Sequence, residues 1–193
     1  ILKCKESYRK VINLMELENI INFENVYVNY DIDSSTLRNI NLKIKNNENW
    51  AILGANGSGK STLIKLFSND LYPTTKYPFK KEIFGEENWN IFELKKNLGI
   101  ITNDLHNTFG SQGKYITAYE VILSGFYSSI QIFNHQDFTK EQHQKVLEVL
   151  EFLEILELKD KKVHQMSTGQ LRRCIIGRAL IHDPKAFILD EPT

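Results

Sequence analysis

Apolar and polar residues roughly alternate over residues 20–28 and again over residues 40–44. A period of two residues is typical of strands that bury one face, so these stretches predict an antiparallel sheet near the start of the chain. Polar residues 45–49 then form a turn that leads into the short apolar run 50–53. A continuous apolar run of this length predicts a strand that is buried on both faces.

Strand and helix patterns alternate through the rest of the chain. Apolar periodicity predicts three helices, over residues 61–67, 89–96 and 170–181. Short apolar runs predict three further strands, over residues 83–84, 98–102 and 186–189. Two more helix starts are indicated by residue pairs with capping-box spacing, Thr117 with Glu120 and Thr139 with Gln142. The alternation predicts an α/β fold with a parallel sheet.

Composition restricts the class of protein. Hydrophobic residues make up 41% of the chain and charged residues 25%, which suits a globular domain with a sizeable core. The 24 basic residues equal the 24 acidic residues, so no overall positive field attracts nucleic acid. Cys4 and Cys174 lie far apart, and no apolar run or leader indicates membrane insertion or secretion. These features predict a cytoplasmic protein.

The strongest chemical motif is the stretch GANGSGKS, residues 54–61, which follows one predicted strand and opens a predicted helix. Glycines at positions 57 and 59 let successive backbone N–H groups curl around phosphate oxygens, and the helix N-terminus adds partial positive charge. Lys60 is placed to reach the terminal phosphates, and Ser61 to bind magnesium. A plain glycine turn would explain the glycines but not the Lys-Ser pair.

A pair of acids follows the last predicted strand. Asp190 and Glu191 end the run AFILDE, where an acid can face the magnesium of the phosphate loop and a second acid can handle the attacking water. Alone, such a pair is more often a solvated turn. Together with the phosphate loop, it predicts a nucleoside triphosphatase.

A third motif narrows the class. The stretch MSTGQ, residues 166–170, precedes a predicted helix, and the sequence here resembles the ATP-binding cassette family, whose signature is LSGGQ. The resemblance runs from about residue 20 to residue 193. It implies a P-loop NTPase core with an N-terminal antiparallel β-subdomain and an inserted helical subdomain. Residues 16–193 would form the cassette, and residues 1–15 an upstream segment or linker.

The resemblance implies the site residues and cofactors, which are ATP and Mg²⁺. Residues expected to contact ATP are Tyr30, Gly54, Ala55, Asn56, Gly57, Ser58, Gly59, Lys60, Ser61, Thr62, Ser167, Gly169 and Gln170. Catalytic roles would fall to Glu191, Lys60 and Asn103, and metal binding to Ser61, Asp190 and Asn103. In this family the signature closes over ATP held by a second cassette in a head-to-tail dimer, so Ser167 and the Gly169 N–H would contact the partner's γ-phosphate.

The chain departs from the family pattern at three positions. Met166 replaces a leucine, and Thr168 replaces a glycine with a β-branched residue beside the closing interface. Asn103 stands where the family has a glutamine, and its amide reaches one methylene less far. Tyr30 matches the aromatic residue that stacks on adenine, although a tyrosine on a strand can equally pack within the sheet.

The resemblance also predicts a helical subdomain over about residues 103–165 that grips a transmembrane transporter subunit. Its apolar and aromatic residues suit either a docking surface for a helix of that partner or the subdomain's own core: Tyr115, Tyr119, Phe126, Tyr127, Ile130, Ile132 and Phe133. The five histidines show no metal spacing.

The sequence therefore predicts a subunit that hydrolyses Mg-ATP on the cytosolic face of a membrane to drive a transporter, with no nucleic-acid partner. Several stretches look most like the molybdate-type, tandem-cassette branch. Two alternatives stay open: a soluble cassette ATPase that acts on ribosomes or DNA, and an ATP-gated module that does not hydrolyse.

The end of the chain carries a further expectation. In this ATPase class, the strand after the acidic strand inserts between it and the phosphate-loop strand. We expect the natural protein to continue past Thr193, residues 50–53 and 186–189 to flank an unfilled gap, and the 193-residue chain alone to be inactive as an ATPase.

Overall fold

The computed structural model describes residues 18–29 and 35–190 of the protein. These residues fall into two compact units, the first ending at Asn90 and the second beginning at Ile91. Each unit is described by itself.

The first unit contains a three-stranded antiparallel sheet. Its strands are β1 (Asn19–Asn29), β2 (Ser35–Lys45) and β3 (Lys80–Ile83), in the order β2-β1-β3. Phe23, Val26 and Val28 of β1 are fully buried, and polar residues lie between them. The alternating pattern therefore predicted the sheet correctly, and the short strand predicted at residues 83–84 is the end of its third member.

Helix α1 (Lys60–Phe67) follows the glycine-rich loop and closes the core of this unit. Leu66 and Phe67 are buried, and the Phe67 ring packs on that of Phe23 with centroids 5.6 Å apart. The apolar spacing of the helix thus fixes which way it faces. In its first turn, Lys60 is partly exposed and Ser61 is exposed.

The predicted strand over residues 50–53 is wrong. No strand ladder includes these residues in the described part of the chain, and Trp50, Ile52 and Leu53 are 53%, 42% and 92% exposed. A strand forms only where neighbouring strands pair with its N–H and C=O groups, and apolar sequence alone cannot supply them. The gap expected beside this segment stays a prediction.

The second unit combines helices with a two-stranded parallel sheet. Its principal elements are α2 (Ile91–Asn97), β4 (Leu98–Ile101), α3 (Asn103–Ser111), α4 (Ala118–Leu123), α5 (Lys140–Phe152), α6 (Thr168–Leu180) and β5 (Ala186–Leu189). Short 3₁₀ turns lie at Ser124–Tyr127, Leu156–Leu158 and Val163–Gln165. Leu98 pairs with Ala186 and Ile101 with Leu189, in parallel register. The predicted α/β alternation is therefore confirmed.

A continuous apolar run such as residues 186–189 predicts a strand that is buried on both faces, but β5 is not. Phe187 and Leu189 are 46% and 54% exposed and lie on one face, which the described elements leave open. The Phe187 ring lies over Gly99 of β4, where an added Cβ would be 2.5 Å from ring carbons. The strand was predicted correctly, but its burial was not, because burial depends on which elements cover the sheet.

Helices α4, α5 and α6 form the core of the second unit. Val121, Leu150 and Ile175, one from each helix, are almost completely buried. Capping boxes start all three helices, including the predicted ones at Thr117 and Thr139. The third box, at Ser167, starts α6 two residues earlier than predicted. Among the described residues, no helix has the length and apolar character needed to cross a membrane.

Candidate functional site

The glycine-rich loop before α1 has the backbone geometry of an anion cradle. Gly57 and Gly59 have φ of 79° and 94°, values in the left-handed region that L side chains rarely adopt. Gly59 is also the N-cap residue of α1, so the unpaired N–H groups of the first helical turn open onto the loop. A Cβ at Gly59 would lie 2.8 Å from Cδ2 of Leu37, which shows how closely the loop rests on β2.

Lys60 is held by its own loop. Its Nζ donates to the carbonyl oxygens of Gly54 and Ala55, at 2.8 and 2.9 Å. These bonds fold the side chain back across the loop and concentrate positive charge where the backbone N–H groups converge. Lys60 is thus in place to bind a phosphate, but it must exchange these carbonyls for phosphate oxygens.

The remaining residues of the loop differ in exposure. Ala55, Asn56, Ser58 and Ser61 are exposed, whereas Thr62 is buried at 6% exposure. A ligand in the loop would therefore meet the Ser61 hydroxyl, while the side chain of Thr62 faces the core.

The signature turn forms the start of α6. Ser167 Oγ accepts a hydrogen bond from the Gln170 N–H at 3.2 Å, and Gln170 Oε1 accepts from the Ser167 N–H at 3.1 Å. Lys161 Nζ also donates to Gln170 Oε1, at 3.0 Å. Because Ser167 accepts in this cap, its O–H remains able to donate to an anion. The Ser167 hydroxyl can therefore cap α6 as an acceptor and bind a phosphate as a donor at the same time.

The space beside the signature turn is open. A cavity of about 290 Å³ is lined by Ser167, Gly169 and Gln170 on one side and by Glu157 and Arg173 among others. A Cβ at Gly169 would meet no heavy atom within 4 Å. The turn therefore presents a helix N-terminus and a hydroxyl to open space, where an anion can approach.

The carboxyl ends of β4 and β5 bring two predicted site residues to the same edge. The Asp190 N–H donates to the Ile101 carbonyl at 2.9 Å, so Asp190 lies beside the residues that follow β4. Asn103 is the first residue of α3, after the N-cap Thr102. Its Oδ1 accepts from Nη2 of Arg172 at 2.7 Å, which turns the amide towards α6.

The predicted magnesium ligands are tested by their chemistry. Ser61 and Asp190 offer hydroxyl and carboxylate oxygens, the donors that Mg²⁺ prefers. Asn103 offers an amide oxygen, which already accepts a hydrogen bond from the Arg172 guanidinium. Within residues 18–29 and 35–190, no group of three or more His, Cys, Asp or Glu side chains could hold a metal ion.

Two predicted site residues, Tyr30 and Glu191, lie outside the described residues. The phosphate loop belongs to the first unit, whereas Asn103, Asp190 and the signature turn belong to the second. The sequence did not single out Arg172 or Lys161 as functional residues. Arg172 lies two residues after the stretch MSTGQ, but its partner is 69 residues away, and no local signal indicates the contact.

The aromatic segment of the second unit divides between core and surface. Tyr119, Phe126, Ile130 and Ile132 pack against the helical core, as expected for structural residues. Three aromatic residues are exposed, at 67%, 43% and 47%: Tyr115, Tyr127 and Phe133. Only the second group is available to a partner.

Comparison with known proteins identifies the family. The sequence model described as "ABC transporter" matches residues 37–193. The chain is 35% identical over 173 residues to the ABC transporter ATP-binding protein ModF of Escherichia coli, covering 87% of this chain and 34% of ModF. It is 33% identical over 175 residues to the energy-coupling factor transporter ATP-binding protein EcfA3 of Clostridium perfringens, covering 90% and 58%.

Solved structures agree with the sequence comparison. CbiO1 of Clostridium perfringens, described as part of the ABC transporter complex CbiONQ, superposes with a TM-score of 0.70 at 29% identity, covering 91% of this chain and 66% of CbiO1. The ADP conformation of MJ1267, an ATP-binding cassette of an ABC transporter, gives 0.73 at 26% identity, covering 90% and 69%. These matches confirm the predicted P-loop cassette fold. The chain spans only 34% and 58% of the lengths of ModF and EcfA3. The chain therefore belongs to the ABC transporter family, as an ATP-binding cassette.

Proposed function

We propose that the chain binds Mg-ATP and hydrolyses it as the nucleotide-binding part of an ABC transporter on the cytosolic face of a membrane. The phosphate loop carries the proposal. Two glycines with positive φ, the N-terminus of α1 and a lysine folded back over the loop lie together within residues 54–61. This arrangement suits a polyphosphate, because each oxygen can accept from a separate N–H donor.

The signature turn supports a second phosphate contact, made to a nucleotide that a partner cassette holds. Ser167 can donate its O–H while capping α6, and Gly169 leaves open space beside the helix N-terminus. We therefore propose a head-to-tail dimer in which each turn closes over the partner's ATP. Thr168 adds bulk at this closure without removing either donor.

Magnesium would be held by Ser61 and Asp190, whose oxygen donors suit it. When bound, it neutralises charge on the β- and γ-phosphates. Glu191 is proposed to orient the attacking water and accept its proton. Lys60 would stabilise negative charge on the terminal phosphate.

The relatives support the proposal that ATP hydrolysis is coupled to transport. EcfA3 is named a transporter ATP-binding protein, and CbiO1 is described as part of a transporter complex. We propose a transmembrane subunit as the partner of this chain, docked on the exposed aromatic residues Tyr115, Tyr127 and Phe133. The similarity to ModF supports the tandem-cassette branch.

The test is ATP binding by calorimetry in the full natural chain, with and without Mg²⁺. Lys60→Ala removes a charge-assisted contact, so affinity should fall by about 1.5–3 kcal/mol, roughly ten- to a hundredfold. Lys65→Ala is the matched control, because Lys65 lies exposed on the same helix and outside the loop. Equal affinities in parent and Lys60→Ala would contradict the phosphate cradle. Binding without turnover would favour the ATP-gated module instead.

A further inference from the structure

The amide of Asn103 has a specific partner that the proposed function does not use. Nη2 of Arg172 donates to Asn103 Oδ1 at 2.7 Å, and both side chains are partly buried. Asn103 opens α3 at the carboxyl edge of the parallel sheet, and Arg172 lies in the second turn of α6. The bond therefore joins α3 to α6. Helix α3 begins beside Asp190, and α6 begins at the signature turn, so the bond links the two parts of the candidate site in this unit.

The chemistry of this contact argues against metal binding at Asn103. A guanidinium is positively charged at every physiological pH, and it lies at hydrogen-bonding distance from the only oxygen of the Asn103 side chain. A divalent cation on the same oxygen would face strong repulsion from that charge, since neither is fully screened in a partly buried site. The oxygen is therefore matched to an arginine.

We propose that Arg172 is a positioning residue: in place of a metal ion, it holds the Asn103 amide oxygen and ties the first turn of α3 to the signature helix α6. A movement of the signature turn is then passed directly to the residues that follow β4. This inference rests on the proposed function in one respect only, namely that the Arg172–Asn103 bond acts during the ATP cycle. The link itself is the observed Arg172–Asn103 hydrogen bond.

The start of α3 offers a direct readout. The Leu105 N–H donates to Thr102 Oγ1 at 3.2 Å, and the His106 N–H donates to the Thr102 carbonyl at 3.1 Å. If Arg172 anchors Asn103, loss of the bond should let this first turn open more often. Exchange of the Leu105 and His106 amide hydrogens measures that opening and needs neither nucleotide nor turnover.

Hydrogen exchange is compared in full-length Arg172→Met, Asn103→Ala, the double variant and the parent. Each single change should speed exchange of the two amides roughly tenfold, and the double variant should exchange no faster than either single one. Asn103→Asp retains the pair as an ion pair and should slow exchange. The matched control is Arg173→Met, on an exposed neighbouring arginine of α6, which should leave these two amides unchanged. Unchanged exchange in Arg172→Met, or additive effects in the double variant, would overturn the proposal.

A second measurement separates the positioning role from metal binding. The Mg²⁺ concentration that half-saturates the enhancement of ATP affinity is measured by calorimetry. Asn103→Ala should leave it within about twofold of the parent, whereas Ser61→Ala should raise it by about tenfold, as expected for loss of a ligand. A shift in Asn103→Ala equal to that in Ser61→Ala would identify Asn103 as a ligand and refute the proposal. If the parent itself failed to bind Mg-ATP, the proposed function would fall while the exchange result decided the link.

Discussion

Replacing Gly59 with alanine tests how tightly the phosphate loop is fixed to the sheet. Gly59 has φ of 94°, and its added Cβ would lie 2.8 Å from Cδ2 of Leu37, a side chain of β2 that is only 7% exposed. Gly57 has a similar φ of 79°, but a Cβ there would meet nothing within 4 Å. Alanine at either position would therefore suffer the same kind of backbone strain, but only alanine at position 59 would also clash with a neighbouring side chain.

The expected magnitudes follow from this difference. Left-handed backbone in an L residue costs about 1–2 kcal/mol, which applies to both Gly57→Ala and Gly59→Ala. Displacing the buried Leu37 side chain adds about 1–3 kcal/mol in Gly59→Ala alone. Gly169 does not have a positive φ, and an added Cβ there would meet no heavy atom within 4 Å, so Gly169→Ala should change stability by less than about 0.5 kcal/mol.

Urea unfolding of the full chain, followed by tryptophan fluorescence, measures these free energies. Both tryptophans of this sequence, Trp50 and Trp89, lie in the first unit, so the signal reports on the unit that holds the loop. Repeating the pair of alanine substitutions in a Leu37→Ala background isolates the contact, since the smaller side chain removes the clash.

Two results would refute this reasoning. Gly59→Ala and Gly57→Ala could destabilise the protein equally, which would mean that the loop does not press on Leu37. Alternatively, the difference between them could persist in the Leu37→Ala background, which would assign it to another cause.

Three further predictions address catalysis, thiol chemistry and pH. Glu191→Gln should keep ATP binding, abolish turnover and accumulate an ATP-bound dimer, measured by light scattering; a monomer at saturating ATP would contradict the role of the signature turn. Burial raises the pKa of the Cys174 thiol to about 12, so in a Cys4→Ser background it should not react with a thiol reagent at pH 8 until the protein is unfolded. Burial lowers the pKa of His182 below its ordinary value of 6.5, despite a contact with the Gly125 carbonyl at 3.2 Å. The unfolded chain therefore binds the proton more readily, and stability should fall as pH drops below about 6.5; His182→Gln should fall less steeply in urea titrations at pH 7 and pH 5.

Local signals in the sequence predicted local structure well. The capping boxes at Thr117 and Thr139 and the helix after the phosphate loop required only residues within a few positions of one another. The strand over residues 50–53 failed because strand formation depends on neighbours that the run itself does not encode.

Contacts between distant residues could not be predicted. The Arg172–Asn103 bond spans 69 residues. The sequence indicated Asn103 only as a site residue, by its position in the family pattern, and it gave no signal for Arg172. Lys81 is similar, since it is buried in β3 with its Nζ bonded to Asn69 and 5.4 Å from the centre of the Tyr72 ring, and burial lowers its pKa to about 8. Only the fold brings such groups together.

The carbonyl oxygens of Gly54 and Ala55 accept hydrogen bonds from Lys60 and therefore compete with a phosphate for its ammonium group. An arriving phosphate must displace Gly54 and Ala55 from the ammonium before it gains that contact. The heat released on binding is therefore the difference between two similar sets of hydrogen bonds, and it should be smaller than the number of final contacts suggests. Affinity for nucleotide would then depend more on the backbone N–H donors of the loop and the helix N-terminus than on Lys60.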